Sequence, residues 1–418
     1  MKRKLTYVLG LLLCMAQVGC LDDSYTGTVY VEEQFEEGTL HEVRMTIGES
    51  KEADPALQSK GSGVIGSVNN LAGKDFYVYA FNRDIHTDYS TLNVEDSLRC
   101  LVDGTYDDPE TLMGRKAHWN PNTETVEWGI DESPIYYPMG EDQGHDYDFF
   151  AYYLDNIVPE NSDIHRNETD IKIDIEIDGC QDIMSAKAKP TAIQLDAIKD
   201  EREMLYQKEH CYSYYTASHN LHPNFDFIHH LVKLDFKLVP GGTPGMTKDV
   251  TVEKIEVRSK YRAEFTVADK YDENRLGLKF VPEDETNTTR LALREADGSE
   301  YVPRLVTTYN QVGSAEDNAI ADLGSLLVAP DDDYYLYIVL GEVNEGVVLE
   351  SKENEIHVFY GKDKDNKIPF TPGSEYMITL TIYGQMDVRV TAEIGEWNEG
   401  GDYEYDYDDT TRPGYGKN

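Results

Sequence analysis

Positive charge is in short supply in this chain. Lys and Arg together number 38 against 79 Asp and Glu, for a net charge of −41. A surface of that sign repels nucleic acid and anionic lipid headgroups, so no nucleic-acid partner is expected. The acidic residues are spread along the whole chain, the pattern of a solvated, aggregation-resistant surface. Cysteine is scarce too. Of the five present, Cys14 and Cys20 lie at the start, which leaves Cys100, Cys180 and Cys211. Three thiols form at most one disulfide, Cys180 with Cys211 being one option, and a disulfide scaffold is excluded. No Cys-x-x-Cys pair exists, which removes the common zinc frameworks. Tryptophan is limited to three residues, whereas tyrosine reaches 30, a residue suited to half-buried strands and contact surfaces. Long apolar runs are absent: residues 5–16 form a stretch of only about 12, too short to cross a bilayer as a helix.

That short run follows Lys2, Arg3 and Lys4 and precedes Gln17-Val18-Gly19-Cys20. The pattern resembles a bacterial lipoprotein signal, with Gln17 where an aliphatic residue is usual. Residues 1–19 would be removed and Cys20 would carry lipid. Leu21-Asp22-Asp23 resembles the surface-export signal of Bacteroidota lipoproteins. The competing reading is a plain secretory signal with an incidental cysteine. Either way the rest of the chain works outside the cytoplasm, where no ATP- or NAD-driven chemistry and no cofactor is expected.

Beyond an acidic tether over residues 20–39, the dominant period is two. Val43, Met45 and Ile47 share one face of a strand at 40–47. In the segment 75–81, Phe76, Val78 and Ala80 face one way and Tyr77, Tyr79 and Phe81 the other, so both faces should be covered. Residues 82–125 read mostly as loop around Trp119, with a short strand around Trp128. Residues 135–138 and 147–153 read as strands, and Ile171, Ile173, Ile175 and Ile177 alternate strictly with charged residues. Residues 190–209 break the pattern with helical spacing and read as one connector helix. Further strands follow at 225–239, 250–257, 334–340, 355–360, 376–383 and 388–394. Many short strands between turn signals argue an all-β chain of two β-sandwiches in series. The expected domains are residues 40–205 and 206–401, followed by an acidic, tyrosine-rich tail at 402–418.

Motifs for chemistry fail one after another. Gly61-Ser62-Gly63-Val64-Ile65-Gly66 fits G-x-G-x-x-G, but a polar stretch with Pro55 precedes it where a buried strand is required. His41-Glu42 begins a zincin-like pattern, and Met45 stands where the second histidine belongs. His229 and His230 point to opposite faces of a strand, so the pair is a poor metal site. Lys367 and Ser374 break the faint calcium-loop pattern begun at Asp363, leaving Asp331-Asp332-Asp333 for an adventitious Ca²⁺. No G-x-S-x-G elbow occurs, and acidic pairs are too common to single out a glycosidase pair. No enzyme is expected.

Several segments, in order, carry a resemblance. These are residues 73–81, Ile135-Tyr136-Tyr137-Pro138, residues 147–152, 181–186, 225–236 and 370–376, then Leu380-Thr381-Ile382-Tyr383 and Trp397-Asn398-Glu399-Gly400-Gly401. Together they resemble the fimbrillin-like pilin family of Bacteroidota, the type V pilus subunits, with Tyr137 where that family has Trp. The resemblance implies two tandem transthyretin-like β-sandwiches and a structural role. Subunits travel as outer-membrane lipoproteins, a trypsin-like protease removes the lipidated leader with its first strand, and a strand from another pilin subunit replaces it to build a surface fimbria. Here the leader strand would be residues 40–47, cut at Lys60, Lys51 or Arg44. Arg44 is the one arginine between Cys20 and Phe81, and it lies inside the strand. The donor strand would be Val388, Val390, Ala392 and Ile394, whose apolar face suits a groove better than the charged tail does. The alternatives are an uncut, lipid-held pilus anchor or assembly protein, and a surface lipoprotein binding a host or bacterial glycan or other ligand through Trp119, Trp128 and exposed tyrosines.

Overall fold

The computed structural model describes residues 39–48, 71, 73–129, 133–142, 144–241, 249–282, 287–295, 298–306, 320–361 and 366–394. The calls at Cys20, Lys51, Lys60, the glycine loop at 61–66, Trp397 and the tail lie outside them. The first strands are β1 (Thr46–Ile47), β2 (Asp75–Asn82), β3 (Cys100–Val102), β4 (Arg115–Asn120), β5 (Thr125–Trp128), β6 (Tyr147–Tyr153), β7 (Ile164–Arg166), β8 (Asp170–Glu176) and β9 (Met184–Lys187). Helices α1 (Ala192–Asp196), α2 (Glu201–Glu209) and α3 (Tyr214–Ser218) follow. Then come β10 (Asn224–Phe225), β11 (Ile228–His229), β12 (Val232–Pro240), β13 (Asp249–Lys260), β14 (Arg262–Asp269), β15 (Gly277–Phe280), β16 (Thr288–Ala292) and β17 (Arg304–Val306). The last are β18 (Ile320–Val328), β19 (Asp333–Asn344), β20 (Val347–Gly361), β21 (Lys367–Ile368), β22 (Glu375–Gly384) and β23 (Asp387–Ile394).

The larger N-terminal sheet runs β11-β9-β6-β2-β4-β5, with β3 also on β2. Apolar residues on both faces of β2 demand two covers, and the structure supplies them. Tyr79 and Phe81 of β2, with Phe150 and Tyr152 of β6, pack on a second sheet, β15-β14-β8-β7. There Ile171 and Ile173 are fully buried and the rings of Tyr152 and Phe265 lie 6.2 Å apart. Each such isoleucine contributes roughly 2 kcal/mol of apolar burial. The other face, with Phe76, Val78, Phe149 and Ala151, is covered by residues 43–47, α3 and Phe225.

The C-terminal sandwich packs β18-β12-β22-β23 against β16-β13-β19-β20-β21, with Leu234, Phe236, Ile378 and Leu380 meeting Ile255, Val257, Leu336 and Ile338. A two-residue turn closes β19 onto β20. Both Glu345 and Gly346 have positive φ, the conformation whose twist matches antiparallel strands. Only Tyr261 separates β13 from β14, so the chain passes directly from the C-terminal sandwich into the second N-terminal sheet. That sheet takes β7 and β8 from before residue 205 and β14 and β15 from after it, across the expected domain division.

Several details differ from the sequence reading. Trp119 lies in β4, not in a loop. The 225–239 segment breaks into β10, β11 and β12. Residues 135–137 form only a bridge, Tyr136 to Glu42, and do not pair with 147–153. Pro134 and Pro138 flank them and supply no N–H to a ladder. The helical connector is split into α1 and α2, each opened by its own cap at Thr191 and Asp200, and α3 is added. Cys180 and Cys211 are both free thiols, as is Cys100.

Candidate functional site: the leader-strand groove

Residues 39–48 lie in a slot with backbone partners on both sides. On one side, Tyr137 N–H donates to the His41 carbonyl at 3.0 Å, Val43 N–H to Ile135 at 2.8 Å, and Val126 N–H to the Met45 carbonyl at 2.9 Å. On the other, Thr46 N–H donates to Pro223 at 2.9 Å and Gly48 N–H to Phe225 at 2.7 Å. There β1 runs parallel to β10, Thr46 beside Asn224 and Ile47 beside Phe225. The Thr46 hydroxyl donates to Asn224 Oδ1 at 2.9 Å. At the entry, the Tyr214 hydroxyl of α3 donates to the Thr39 carbonyl at 2.7 Å, and its ring meets His41 edge-on.

Period-two alternation decides the rest. Val43, Met45 and Ile47 point into the sheet and are 3%, 0% and 8% exposed. Arg44 points outward, its side chain 66% exposed and 3.6 Å from Glu42. Beside it runs an open groove of about 500 Å³ lined by Glu42, Arg44, Val126, Trp128 and Pro134. His222 is partly buried close by. Burial, and then the charges of Arg44 and His41, push its imidazole pKa down.

The proposed donor strand β23 is an edge strand, hydrogen-bonded to β22 alone among the described residues. Val390 and Ala392 are buried, and Val388 and Ile394 pack partly buried on the same core. Gln385 ties the preceding turn to the neighbouring hairpin by donating to the carbonyls of Leu340 at 3.3 Å and Glu350 at 2.7 Å.

The residues considered for ligands are engaged elsewhere. Trp119 and Trp128 are 6% and 9% exposed, and the Arg115 guanidinium lies 4.6 Å over the Trp128 ring. Both pack in the N-terminal core, with Trp128 also reaching the wall of the open groove. His229 bonds Asp182 at 2.9 Å and His230 bonds Ser185 at 2.7 Å. Asp331 pairs with Lys260 at 2.8 Å, and Asp333 with Lys367 and His357. Sequence reasoning missed Asn224 and Tyr214, which hold the leader from the far side. Their polar groups carry no periodic signal, and their roles appear only once β10 and α3 meet residues 39–48.

The fimbrillin-like family model matches residues 102–397. No curated protein matches the chain significantly. Among solved structures, a fimbrial protein from Bacteroides vulgatus is 14% identical with a TM-score of 0.43, over 85% of this chain and 99% of that one. A candidate cell adhesion protein from Bacteroides uniformis is 16% identical with a TM-score of 0.41, over 86% and 98%. The tip fimbrial protein Mfa3 from Porphyromonas gingivalis, with a C-terminal truncation, is 9% identical with a TM-score of 0.27, over 77% and 92%. With the family model matched over most of its length, this chain belongs to the fimbrillin-like family, whose members are structural pilus subunits and not enzymes.

Proposed function

We propose that this chain is a fimbrial subunit that reaches the cell surface as a lipoprotein on Cys20, loses its leader strand to a trypsin-like protease, and joins its neighbours by strand exchange in support of adhesion. The observation that carries the proposal is the seating of residues 43–47. They present one apolar face to the sheet, are held by backbone bonds on both edges, and share the cover of that face with α3 and Phe225 of β10 among the described residues. Removing that strand opens a slot with unpaired backbone on both sides, which is what strand addition fills. Head-to-tail contacts of that kind do not close and so build filaments.

The geometry counts against Arg44 as the cut site. A protease takes its substrate as an extended, accessible strand. The Arg44–Met45 bond sits between a Val43 N–H bonded to Ile135 and a Met45 carbonyl bonded to Val126, with Met45 fully buried. Lys51 and Lys60 follow the strand in sequence, where a cut separates it from the rest of the chain. A second reading, an uncut and lipid-held pilus anchor, is favoured by the absence of arginine from residues 49–70.

Intact mass and N-terminal sequence of protein from the native cell surface separate the two. A lipid-free start just after Lys51 or Lys60 is the expected outcome. A lipidated start at Cys20 in assembled fimbriae would sink strand exchange at this groove and leave the anchor.

A further inference from the structure

Three ionisable side chains meet out of water in the C-terminal sandwich. Lys233 and Asp235 lie two apart on β12, and Lys233 stands directly beside Glu375 in the parallel ladder to β22. Leu234, Phe236, Tyr376 and Ile378 take the core face of these strands, so the three point together from the other face. That face is covered all the same, with the side chains of Lys233, Asp235 and Glu375 only 3%, 11% and 13% exposed. Lys233 Nζ donates to Glu375 Oε2 at 2.9 Å and lies 3.2 Å from Asp235 Oδ2.

We propose that Lys233 and Glu375 condense into an intramolecular amide, with Asp235 carrying the protons. The backbone presents the reacting groups to each other. Lys233 N–H donates to the Ser374 carbonyl at 3.1 Å, which fixes the two strands side by side and holds the amine at the carboxyl group. One cation and two carboxyl groups are neutral together only when one carboxyl keeps its proton. Burial, and then the hydrogen bond with Asp235, push the Glu375 pKa up and make Glu375 that acid. A carboxylic acid accepts an amine at its carbonyl carbon, whereas a carboxylate resists one. Elsewhere, Lys187 also meets a carboxylate, Asp148, at 2.9 Å, but the third group there is Arg83 in place of a second carboxyl.

The step balances without an oxidant or a second substrate. Lys233 passes one proton to Asp235, and its amine attacks Glu375 Cδ. A C–N bond forms, the C–OH bond breaks, and the hydroxyl leaves as water with the second amine proton, relayed through Asp235. Asp235 ends protonated, so a buried cation and a buried anion are both cancelled. Glu375 stays ionisable until the bond closes, so its titration belongs to newly folded chain and fades as the amide accumulates. The bond closes a loop between positions 142 residues apart. Tension along the chain outside residues 233 and 375 would then bypass every strand between them.

Peptide mass on the full-length protein tests the bond, whatever its N-terminus. The folded protein is held at neutral pH for days, sampled, denatured and digested. A branched peptide joining Lys233 to Glu375, lighter than its two parts by one water, should be present and should grow with time. It should be absent from Lys233→Arg and from parent protein incubated unfolded. In Asp235→Asn its rate of formation should fall by about a hundredfold. Unmodified peptides alone, after prolonged incubation of folded parent protein, overturn the proposal without need of any variant. A branch from Lys233 to Asp235 overturns Glu375 as the acceptor. An undiminished rate in folded Asp235→Asn overturns the proton-carrying role, and a link that forms equally in unfolded chain overturns the geometry as its cause. The strand-exchange reading is untouched by any of these results.

Discussion

His230 is packed against Phe265 and Gly277, and burial pushes its pKa down to about 4. The unfolded chain binds that proton near pH 6.5 and the folded chain does not. Stability from this group is therefore present above pH 6.5 and is lost as pH falls toward 4, by up to about 3 kcal/mol at roughly 1.4 kcal/mol per unit. Glu375 works in the opposite direction. It lies among Lys233 and Asp235, with Lys233 Nζ 2.9 Å from Glu375 and 3.2 Å from Asp235. Burial first, and then the hydrogen bond to Asp235, push the Glu375 pKa up. Its contribution is full below the unfolded value and declines as pH rises through the raised folded value. Denaturant midpoints measured across pH should fall on both the acid and the alkaline side, the acid limb flattening in His230→Phe and the alkaline limb in Glu375→Gln. An unchanged acid limb in His230→Phe would show that the imidazole is solvated. The sequence marks His230 only as one of a poor metal pair and Glu375 not at all: the Ser185 bond needs β9 beside β11, and the Lys233–Glu375 cluster needs β12 beside β22, 142 residues apart.

Among the elements, the strand expected at 147–153 coincides with β6, whereas the leader segment expected at 40–47 is a regular strand only over Thr46–Ile47, with isolated bridges at Glu42 and Met45. The leader's alternation alone still assigns Val43, Met45 and Ile47 to one buried face. The partners were not legible, because β10 and residues 135–137 each offer only a few residues of irregular backbone, flanked by prolines, with no period of their own. The break of the 225–239 segment has a similar origin. Its apolar residues suggest one strand, but the chain must pass from β10 through β11 on the N-terminal sheet to β12 on the C-terminal one. Met45 is fully buried, so Met45→Ala should cost about 2–5 kcal/mol through lost burial and the cavity left behind. Arg44→Ala, two-thirds exposed, should stay within about 0.5 kcal/mol of the parent. Equilibrium denaturation of the uncut chain decides it. Equal, small losses at both positions would mean that residues 43–47 add little to the fold and that the slot is not closed by them.

For the whole molecule, two sandwiches in series is the architecture that strand counting gave, but the strand count could not show how they are joined. One apolar cluster runs unbroken from Tyr79 and Phe81 through Ile171, Ile173 and Phe265 to Leu234, Leu336 and Ala392. The join is β14, which the alternation pattern left unassigned because β13 leads into it across Tyr261 without a turn signal. It supplies the Arg262–Asp269 edge that β8 pairs with, and Phe265 and Val267 to the N-terminal core. Residues 39–205 alone therefore lack β14 and β15, the strands between which and β8 that sheet is built. Without them, the apolar face of β8 and the Tyr79–Tyr152 face of the larger sheet lose their cover, at roughly 2 kcal/mol for each large side chain exposed. The expected behaviour of that fragment is a collapsed state with far-UV dichroism but weak near-UV dichroism and strong dye binding. The intact chain should unfold in one calorimetric transition. A fragment of residues 39–205 that melts cooperatively, or an intact chain with two separated transitions, would show that β14 only docks on a self-sufficient N-terminal sandwich. The leader groove would then form without the C-terminal sandwich.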